Sequence, residues 1–569
     1  MARIRKIDIK NFRSIKEFSW LPSSGVNCLI GPGDSGKSSI LDAIDVCLGA
    51  KRNAQFSDAD FYRLDVATPI SISVTIGELD DALKSIDSYG IYLRGFDASS
   101  GEIDEEPESD AETVLTVQLT VGSDLEPSWT LVSERAVAQS QTRNLNWGDR
   151  VRLAPTWVGA MADYHLSWRR GSVLNRMSEE CADTSAALAK AARDARAAFG
   201  EEAQDQLAET LAIVTTTAKE LGIPVGENVK AMLDARSVSF SGGTISLHDE
   251  SGVPLRGLGI GSTRLLIAGL QRKAAEQATV ILIDELEHGL EPHRIIRLLS
   301  SLGAKEKKPP LQVFMTTHSP VALRELSGDQ LFVVKRLEDH HEARVVGVED
   351  NIQGTIRLYP DAFLAPSVIV CEGASEVGLM RGLDQFRMNQ EKPSIAAQGV
   401  ALVDGTGSPL FRHAAAFQAL GYRVAVLCDD DAHPTPELEK AFLEGGGKVI
   451  TWRDGRALED ELFHSLSDHA VQALIALAVE LKGRSLINDQ IKSASDGKCD
   501  LAACQGTLTP ETRAVIGKAS KGKQSGWFKS VGAMETAARD IIGPDLKTAE
   551  AGFRALIEDA FEWTDNAGG

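Results

Sequence analysis

Val26-Asn27-Cys28-Leu29-Ile30-Gly31-Pro32-Gly33-Asp34-Ser35-Gly36-Lys37-Ser38-Ser39 is a short apolar run that enters a glycine-rich loop and then a helical pattern over 39–49. Residues Gly31 to Ser38 satisfy the spacing G-x-x-x-x-G-K-[ST], with a strand before and a helix after. Glycines let the backbone curl so that several N–H groups face one anion, and the N-terminus of the following helix adds positive partial charge. Lys37 supplies a point charge for the β and γ phosphates of a nucleotide, and the Ser38 hydroxyl can ligate Mg²⁺. The expected ATP contacts are therefore Gly31, Gly33, Asp34, Ser35, Gly36, Lys37, Ser38 and Ser39.

Such a loop needs a carboxylate on a neighbouring strand. Val280-Ile281-Leu282-Ile283 ends in Asp284-Glu285, and the C-terminal ends of buried strands are where α/β ligands bind. Asp284 is the expected metal ligand and Glu285 the group that polarises the attacking water. His318 follows the strand-like Val313-Phe314-Met315-Thr316-Thr317 and is placed to hydrogen-bond the γ-phosphate. The order of phosphate loop, glycine segment, Asp-Glu and His resembles ATP-binding-cassette enzymes of the chromosome-maintenance and recombinational-repair type. Asn11-Phe12-Arg13-Ser14 matches their N-terminal text. Gly259-Ile260-Gly261-Ser262 occupies the place of their signature loop, though it departs from Leu-Ser-Gly-Gly-Gln. The resemblance implies that Gly259, Gly261 and Ser262 of one subunit face the ATP of its mate, so that hydrolysis requires a head-to-head dimer. Gln118 is a weak candidate for the Q-loop glutamine.

A second constellation lies farther along. Val368-Ile369-Val370-Cys371 ends in Glu372, with Glu376 four residues later, and Val424-Ala425-Val426-Leu427-Cys428 ends in Asp429-Asp430-Asp431. Adjacent parallel strands would bring both groups to one edge, where converging carboxylates repel unless a cation joins them. Oxygen ligands select Mg²⁺ or Mn²⁺, and two such ions can activate water against a phosphodiester. The order and spacing resemble the Toprim domain of topoisomerases, primases and some nucleases. Glu459 is a further candidate ligand, and Asp404 a weaker one.

A cassette ATPase followed by Toprim resembles the overcoming-lysogenisation-defect (OLD) nucleases over about residues 1–465. The fold class implied is α/β: an ABC-type P-loop ATPase with an antiparallel β subdomain and a helical dimerisation insert, then a Toprim α/β domain with a helical C-terminal extension. The expected boundaries are 1–170 and 229–350 for the ATPase, 171–228 for the insert, and 362–569 for the Toprim domain with its helical region. Asp284-Glu285-Leu286-Glu287 resembles the family's Glu-Glu-Pro-Glu text, with Leu286 in the proline position. The family's C-terminal lysine assists cleavage, and Gly526-Trp527-Phe528-Lys529 resembles that neighbourhood; the choice among Lys521, Lys523 and Lys529 stays open. The activity implied is ATP-regulated, Mg²⁺- or Mn²⁺-dependent DNA nicking or cleavage by a homodimer or higher oligomer. Anti-phage defence or DNA maintenance is the implied setting, alone or beside a helicase. The rival reading is a nucleotide-dependent repair-type switch or scaffold whose Toprim part binds DNA or a partner without cutting.

Composition narrows the choice. The chain has 569 residues, 43% hydrophobic and 25% charged, which suits several folded domains rather than a disordered or fibrous chain. Its net charge of −21 excludes a protein that coats nucleic acid with basic surface. DNA contact must then depend on metal and on local basic segments such as 1–16 and 513–529, each carrying +5. The acids cluster too: residues 101–112 hold seven and no base, read as a solvated loop. The seven cysteines (28, 47, 181, 371, 428, 499 and 504) show no paired zinc spacing and read as free thiols in a reducing cytoplasm. No apolar run is long enough for a membrane span, and the start lacks a signal-peptide core, so a cytoplasmic location is expected.

Overall fold

The computed structural model describes the chain apart from residues 1, 51–53, 108–110, 160–161, 168–171, 178–183, 221–223, 228, 232–246, 275–279, 408, 432–435, 454, 523–524 and 567–569. Lys523 and Cys181 lie outside the described residues. Two compact units emerge. One comprises Met1–Cys28, Gly36–Thr317 and Glu338–His341; the other comprises Leu29–Ser35, His318–Leu337 and Glu342–Gly569.

In the first unit, β1 (Arg3–Phe12) pairs antiparallel with β2 (Ile15–Trp20) and with β4 (Ile70–Gly77). The alternation of Ile7 and Ile9 with charged residues puts both isoleucines in the core. The turn between β1 and β2 needs left-handed backbone at Asn11 (φ 55°) and Arg13 (φ 49°). β7 (Glu112–Val121) extends this antiparallel arm, carrying β5 (Arg94–Phe96) and β8 (Pro127–Leu131), with β6 (Ile103–Asp104) on β5. The acidic stretch is not solvated throughout, because basic partners draw it into the arm. Glu105 pairs with Arg94 at 3.2 Å and accepts the Glu134 N–H at 2.7 Å, and Glu112 pairs with Arg5 at 2.8 Å.

The parallel part of this sheet runs β3 (Val26–Ile30), β11 (Gln312–Thr316), β10 (Val280–Ile283) and β9 (Thr156–Trp157). All but β9 are buried along their whole length, as strands covered on both faces must be. Residues of the region read as an insert form two helices, Thr184–Gln206 and Ala208–Glu220.

The second unit contains the hairpin β12 (Leu331–Arg336) and β13 (His341–Val345), the latter from residue 342, and a four-stranded sheet. That sheet has β14 (Ser367–Cys371), β15 (Val400–Asp404), β16 (Arg423–Cys428) and β17 (Lys448–Thr451) in the order β15-β14-β16-β17, all parallel. Connections leave β14 toward β15 on one side and return to β16 on the other. The crevice at the C-terminal ends of β14 and β16 is thus a topological switch point, where open α/β sheets bind ligands.

The helical C-terminal region packs on this sheet's helices. Gly378 and Gly382 let the Ala374–Met388 helix meet the segment after Lys529 closely: a Cβ on Gly378 would lie 2.5 Å from the Val531 carbonyl oxygen, and one on Gly382 2.3 Å from that of Glu535. Trp527 and Phe528, both fully buried, anchor the same segment. Among the described residues no helix is long and apolar enough to cross a membrane.

Candidate nucleotide and metal sites

The glycine loop takes the shape its sequence demands. Gly31 sits at φ 129°, Asp34 at 58° and Gly36 at 86°, and Gly36 caps the Lys37–Leu48 helix. At Gly31 a side chain is impossible on two counts, its φ and a Val334 carbonyl oxygen 2.7 Å from where a Cβ would lie. Lys37 is buried. Ser38 Oγ donates to Asp284 Oδ1 at 3.1 Å, so the two residues expected to share one Mg²⁺ stand side by side. The cradle of backbone and the Ser38–Asp284 pair fit a nucleotide with its metal.

Thr316 organises the acidic strand end: its Oγ1 donates to Asp284 Oδ1 at 2.5 Å and accepts the Glu285 N–H at 2.8 Å. Glu285 lies in left-handed backbone (φ 48°) with an exposed side chain, its Oε2 3.9 Å from His288 Nδ1. Glu287 is held by the Thr317 hydroxyl at 2.6 Å. Leu286, in the position of the family's proline, is fully buried. His318, next in the chain after Thr317, is exposed.

Sequence reading missed Arg264, which no local signal marks. It is 1% exposed and donates to the carbonyl oxygens of Val158, Asp284, Glu285, Leu286 and His288 at 2.9–3.3 Å. The Ile260–Lys273 helix that starts at Gly259 thereby fixes the loop carrying Asp284 and Glu285. Removing the guanidinium leaves buried carbonyls unsatisfied. Arg264→Ala should therefore destabilise this unit by about 3–5 kcal/mol. A thermal melt combined with nucleotide-binding titration checks it; an unchanged melt and unchanged ATP affinity would refute the role. On the same helix Gly261 has no room for a side chain, since a Cβ would lie 2.4 Å from the Gly289 carbonyl oxygen. Ser262 Oγ accepts from Arg294 at 3.0 Å, and Leu258 and Ile260 beside it are exposed. Gln118 lies on β7, where its amide donates to Ser71 and Ser73.

At the second site, the switch point gathers the acids. Glu372 and Asp429 leave neighbouring strands, and Glu372 Oε2 accepts the Asp429 N–H at 2.8 Å. Glu376 is buried, with Oε2 taking the Gly373 N–H at 2.9 Å. Asp429 Oδ1 takes the Leu458 N–H at 2.9 Å, capping the Leu458–Ser465 helix. The first turn of that helix sends three consecutive acids to different basic partners, four in all. Glu459, fully buried, lies 2.6 Å from Lys529 Nζ. That approach lacks hydrogen-bond geometry, so among the described residues both Glu459 oxygens have no donor. Asp460 pairs closely with Lys521, whose ammonium is also 3.6 Å from Asp431. Glu461, equally buried, is clamped by Arg453 at 2.5 Å and Arg456 at 2.9 Å. Asp430, between two candidate ligands, instead accepts the Gly455 N–H at 2.7 Å. Asp404, at the end of β15, accepts the Thr406 N–H at 2.9 Å.

Electrostatics mark this cluster. Burial, then Glu372, with Glu459 and Asp431 adding to them, pushes the Asp429 carboxyl up to about 7. Burial, with Asp429 and Glu459, drives Glu376 well above the carboxylate range. Burial alone would lower the Lys529 ammonium, yet Glu459, Glu376 and Asp429 hold it above its usual value. Lys521 is raised in the same way against its burial, by Asp460, Asp431 and Asp429. As the side chains stand, no group of three or more His, Cys, Asp or Glu among the described residues is arranged to hold one ion. The donor chemistry still fits a hard cation: mutually repelling carboxylates, two of them pushed toward protonation, with the buried Glu459 beside them.

A family model described as "AAA domain, putative AbiEii toxin, Type IV TA system" matches residues 26–324, just over half of the chain. Another, "Overcoming lysogenization defect protein-like, TOPRIM domain", matches residues 363–431. The chain is 24% identical over 480 residues to "OLD nuclease" of Thermus scotoductus, covering 76% of this chain and 83% of that protein. It is 38% identical over 112 residues to "DNA replication and repair protein RecF" of Chlorobium phaeovibrioides, 18% of this chain and 30% of that one. A solved Smc head bound to the C-winged helix domain of ScpA aligns at TM-score 0.35 and 14% identity, over 60% of this chain and 97% of that one.

Proposed function

We propose, since this chain belongs to the AAA-domain family described as putative AbiEii toxin, Type IV TA system, and continues into an OLD-like Toprim domain, that it is an ATP-controlled, divalent-metal-dependent DNA endonuclease. Its ATPase and nuclease-type character follows from those two domains. The observation that carries the finer reading is the gathering of Glu376, Asp429 and Glu459 around Lys529 at the switch point, with Glu372 bonded to the Asp429 N–H.

At the nucleotide site Lys37 and the loop amides bind the phosphates, Ser38 and Asp284 hold Mg²⁺, Glu285 orients the attacking water, and His318 senses the γ-phosphate. At the Toprim site Glu372, Glu376, Asp429 and Glu459 hold Mg²⁺ or Mn²⁺, with Asp431 alongside. Bound there, divalent cations supply Lewis acidity and an activated water for phosphodiester hydrolysis. Lys529 and Lys521 offer positive charge to the DNA phosphate within an otherwise acidic cluster. The helices Thr184–Gln206 and Ala208–Glu220 expose Phe199, Ile213 and Val214, which suits a role in pairing two copies. Cleavage of foreign DNA fits a part in anti-phage defence, with or without a helicase partner.

The test is conversion of supercoiled plasmid to nicked or linear DNA with Mg²⁺ or Mn²⁺, with chelator, and with ATP, a non-hydrolysable analogue or neither. Cleavage that requires metal and changes with nucleotide is expected; equal cutting in chelator defeats the metal assignment. One observation favours the rival reading of a switch that binds DNA without cutting, namely that among the described residues no three ligating side chains stand ready for one ion. Metal-dependent DNA binding without a nick under any nucleotide condition would decide for it.

A further inference from the structure

Outside both sites, two thiols lie in contact. Cys499 Sγ and Cys504 Sγ are 3.4 Å apart, against about 2.05 Å in a disulfide. Cys504 ends the short Leu501–Cys504 helix, which Asp500 caps, and Cys499 lies just before that cap. Both ends of this segment are fastened. The Cys499 N–H donates to Ser495 Oγ at 3.0 Å, Ser495 Oγ donates back to the Cys499 carbonyl at 3.1 Å, and Gln472 Nε2 donates to the Cys504 carbonyl at 2.9 Å. The backbone therefore holds the two sulfurs facing each other without relying on either thiol.

The two differ in access. Cys504 is fully buried, as are Cys28, Cys47 and Cys371, and Cys428 nearly so; among the described cysteines Cys499 is the one solvent reaches. Burial, then the neighbouring Cys499 thiol, pushes the Cys504 thiol up to about 12, so Cys504 does not react with an oxidant on its own account.

We propose that Cys499 and Cys504 form a redox-active pair, in which Cys499 meets a peroxide and Cys504 resolves the product as an intramolecular disulfide. In the first step an S–O bond forms at Cys499 as the peroxide O–O bond breaks, and the departing hydroxide takes the thiol proton as water. In the second, Cys504 Sγ attacks that sulfur, the S–S bond forms, the S–O bond breaks, and hydroxide leaves as water with the Cys504 proton. Two thiols lose two electrons and two protons, and one hydrogen peroxide becomes two waters. The Leu501–Cys504 turn packs on the Pro510–Ser520 helix, whose C-cap is Lys521, the partner of Asp460 and Asp431. The closed pair would stiffen the support of that lysine.

The experiment treats the full-length protein with graded hydrogen peroxide, alkylates it and digests it with trypsin. Both cysteines fall in one tryptic peptide, 499–513. The expected product is that peptide lacking two hydrogens and carrying no alkyl group, returned to the doubly alkylated form by dithiothreitol added before alkylation. In Cys504→Ser, Cys499 should proceed to sulfinic acid, or to a mixed disulfide when glutathione is present. A doubly alkylated peptide at peroxide levels that oxidise methionines overturns the proposal. So does sulfinic acid at Cys499 with Cys504 still alkylated in the native protein, or unaltered protection of Cys499 in Cys504→Ser. Each readout is independent of whether the protein cuts DNA.

Discussion

Asp429→Asn should reduce metal-dependent DNA cleavage at least about 100-fold while leaving ATP binding intact. Asparagine keeps an oxygen for the Leu458 N–H that Asp429 now accepts, so the Leu458–Ser465 helix keeps its cap. What is lost is a buried anion among Glu372, Glu459 and Asp431. The substitution also carries a pH signature with a definite sign. In the metal-free protein the Asp429 carboxyl, pushed up to about 7 by burial and then Glu372, lies above its unfolded value near 3.9. Between those values the folded state binds more protons than the unfolded one, so this group's contribution to stability falls as pH rises. Mg²⁺ or Mn²⁺ replaces the protons and should restore stability most at the alkaline end. Melting of native protein in chelator should therefore be lower at pH 8 than at pH 5.5 through this group, with a larger Mg²⁺ response at pH 8. In Asp429→Asn both the pH slope and the metal response should shrink. Full cleavage by the variant, or a metal response equal to that of the native protein, would remove Asp429 from the site.

The second large effect belongs to the nucleotide site. Glu285→Gln should slow ATP hydrolysis by about 10²–10³-fold with little change in ATP affinity. The Glu285 side chain is exposed and its backbone N–H is fixed by Thr316, so glutamine alters charge without disturbing the loop that Arg264 grips. ATP held by Ser38, Lys37 and Asp284 would then persist, and the variant becomes a tool for asking which nucleotide state permits DNA cleavage. Steady-state phosphate release and equilibrium nucleotide binding measure the two quantities separately. A parallel loss of binding would show that Glu285 supports the site rather than polarising water.

Much of this was legible because the signals are local. A phosphate loop needs glycines at fixed offsets, and apolar runs ending in acids declare buried strands with carboxylates at their C-terminal ends. Glu372 and Asp429 were readable for that reason, although 57 residues separate them along the chain. The acidic stretch 101–112 misled, because its composition cannot reveal that Arg94 and Arg5 lie across the sheet from Glu105 and Glu112.

Of the three acids 459–461 only Glu459 was read as a candidate ligand; that its neighbours Asp460 and Glu461 turn to other partners was not readable. Adjacent in sequence and alike in charge, they diverge only because successive helical residues point about 100° apart toward different neighbours. Likewise the sequence left Lys521, Lys523 and Lys529 equivalent. The close packing at Gly378 and Gly382 and the burial of Trp527 and Phe528 bring Lys529 to Glu459, while Lys521 goes to Asp460. The sequence by itself determined the chemistry available, a phosphate loop and two sets of strand-end carboxylates, since those depend on residue type and short spacing. Only the tertiary structure decided which lysine meets which acid and that Arg264 braces the Asp284–Glu285 loop, since such contacts depend on long-range packing.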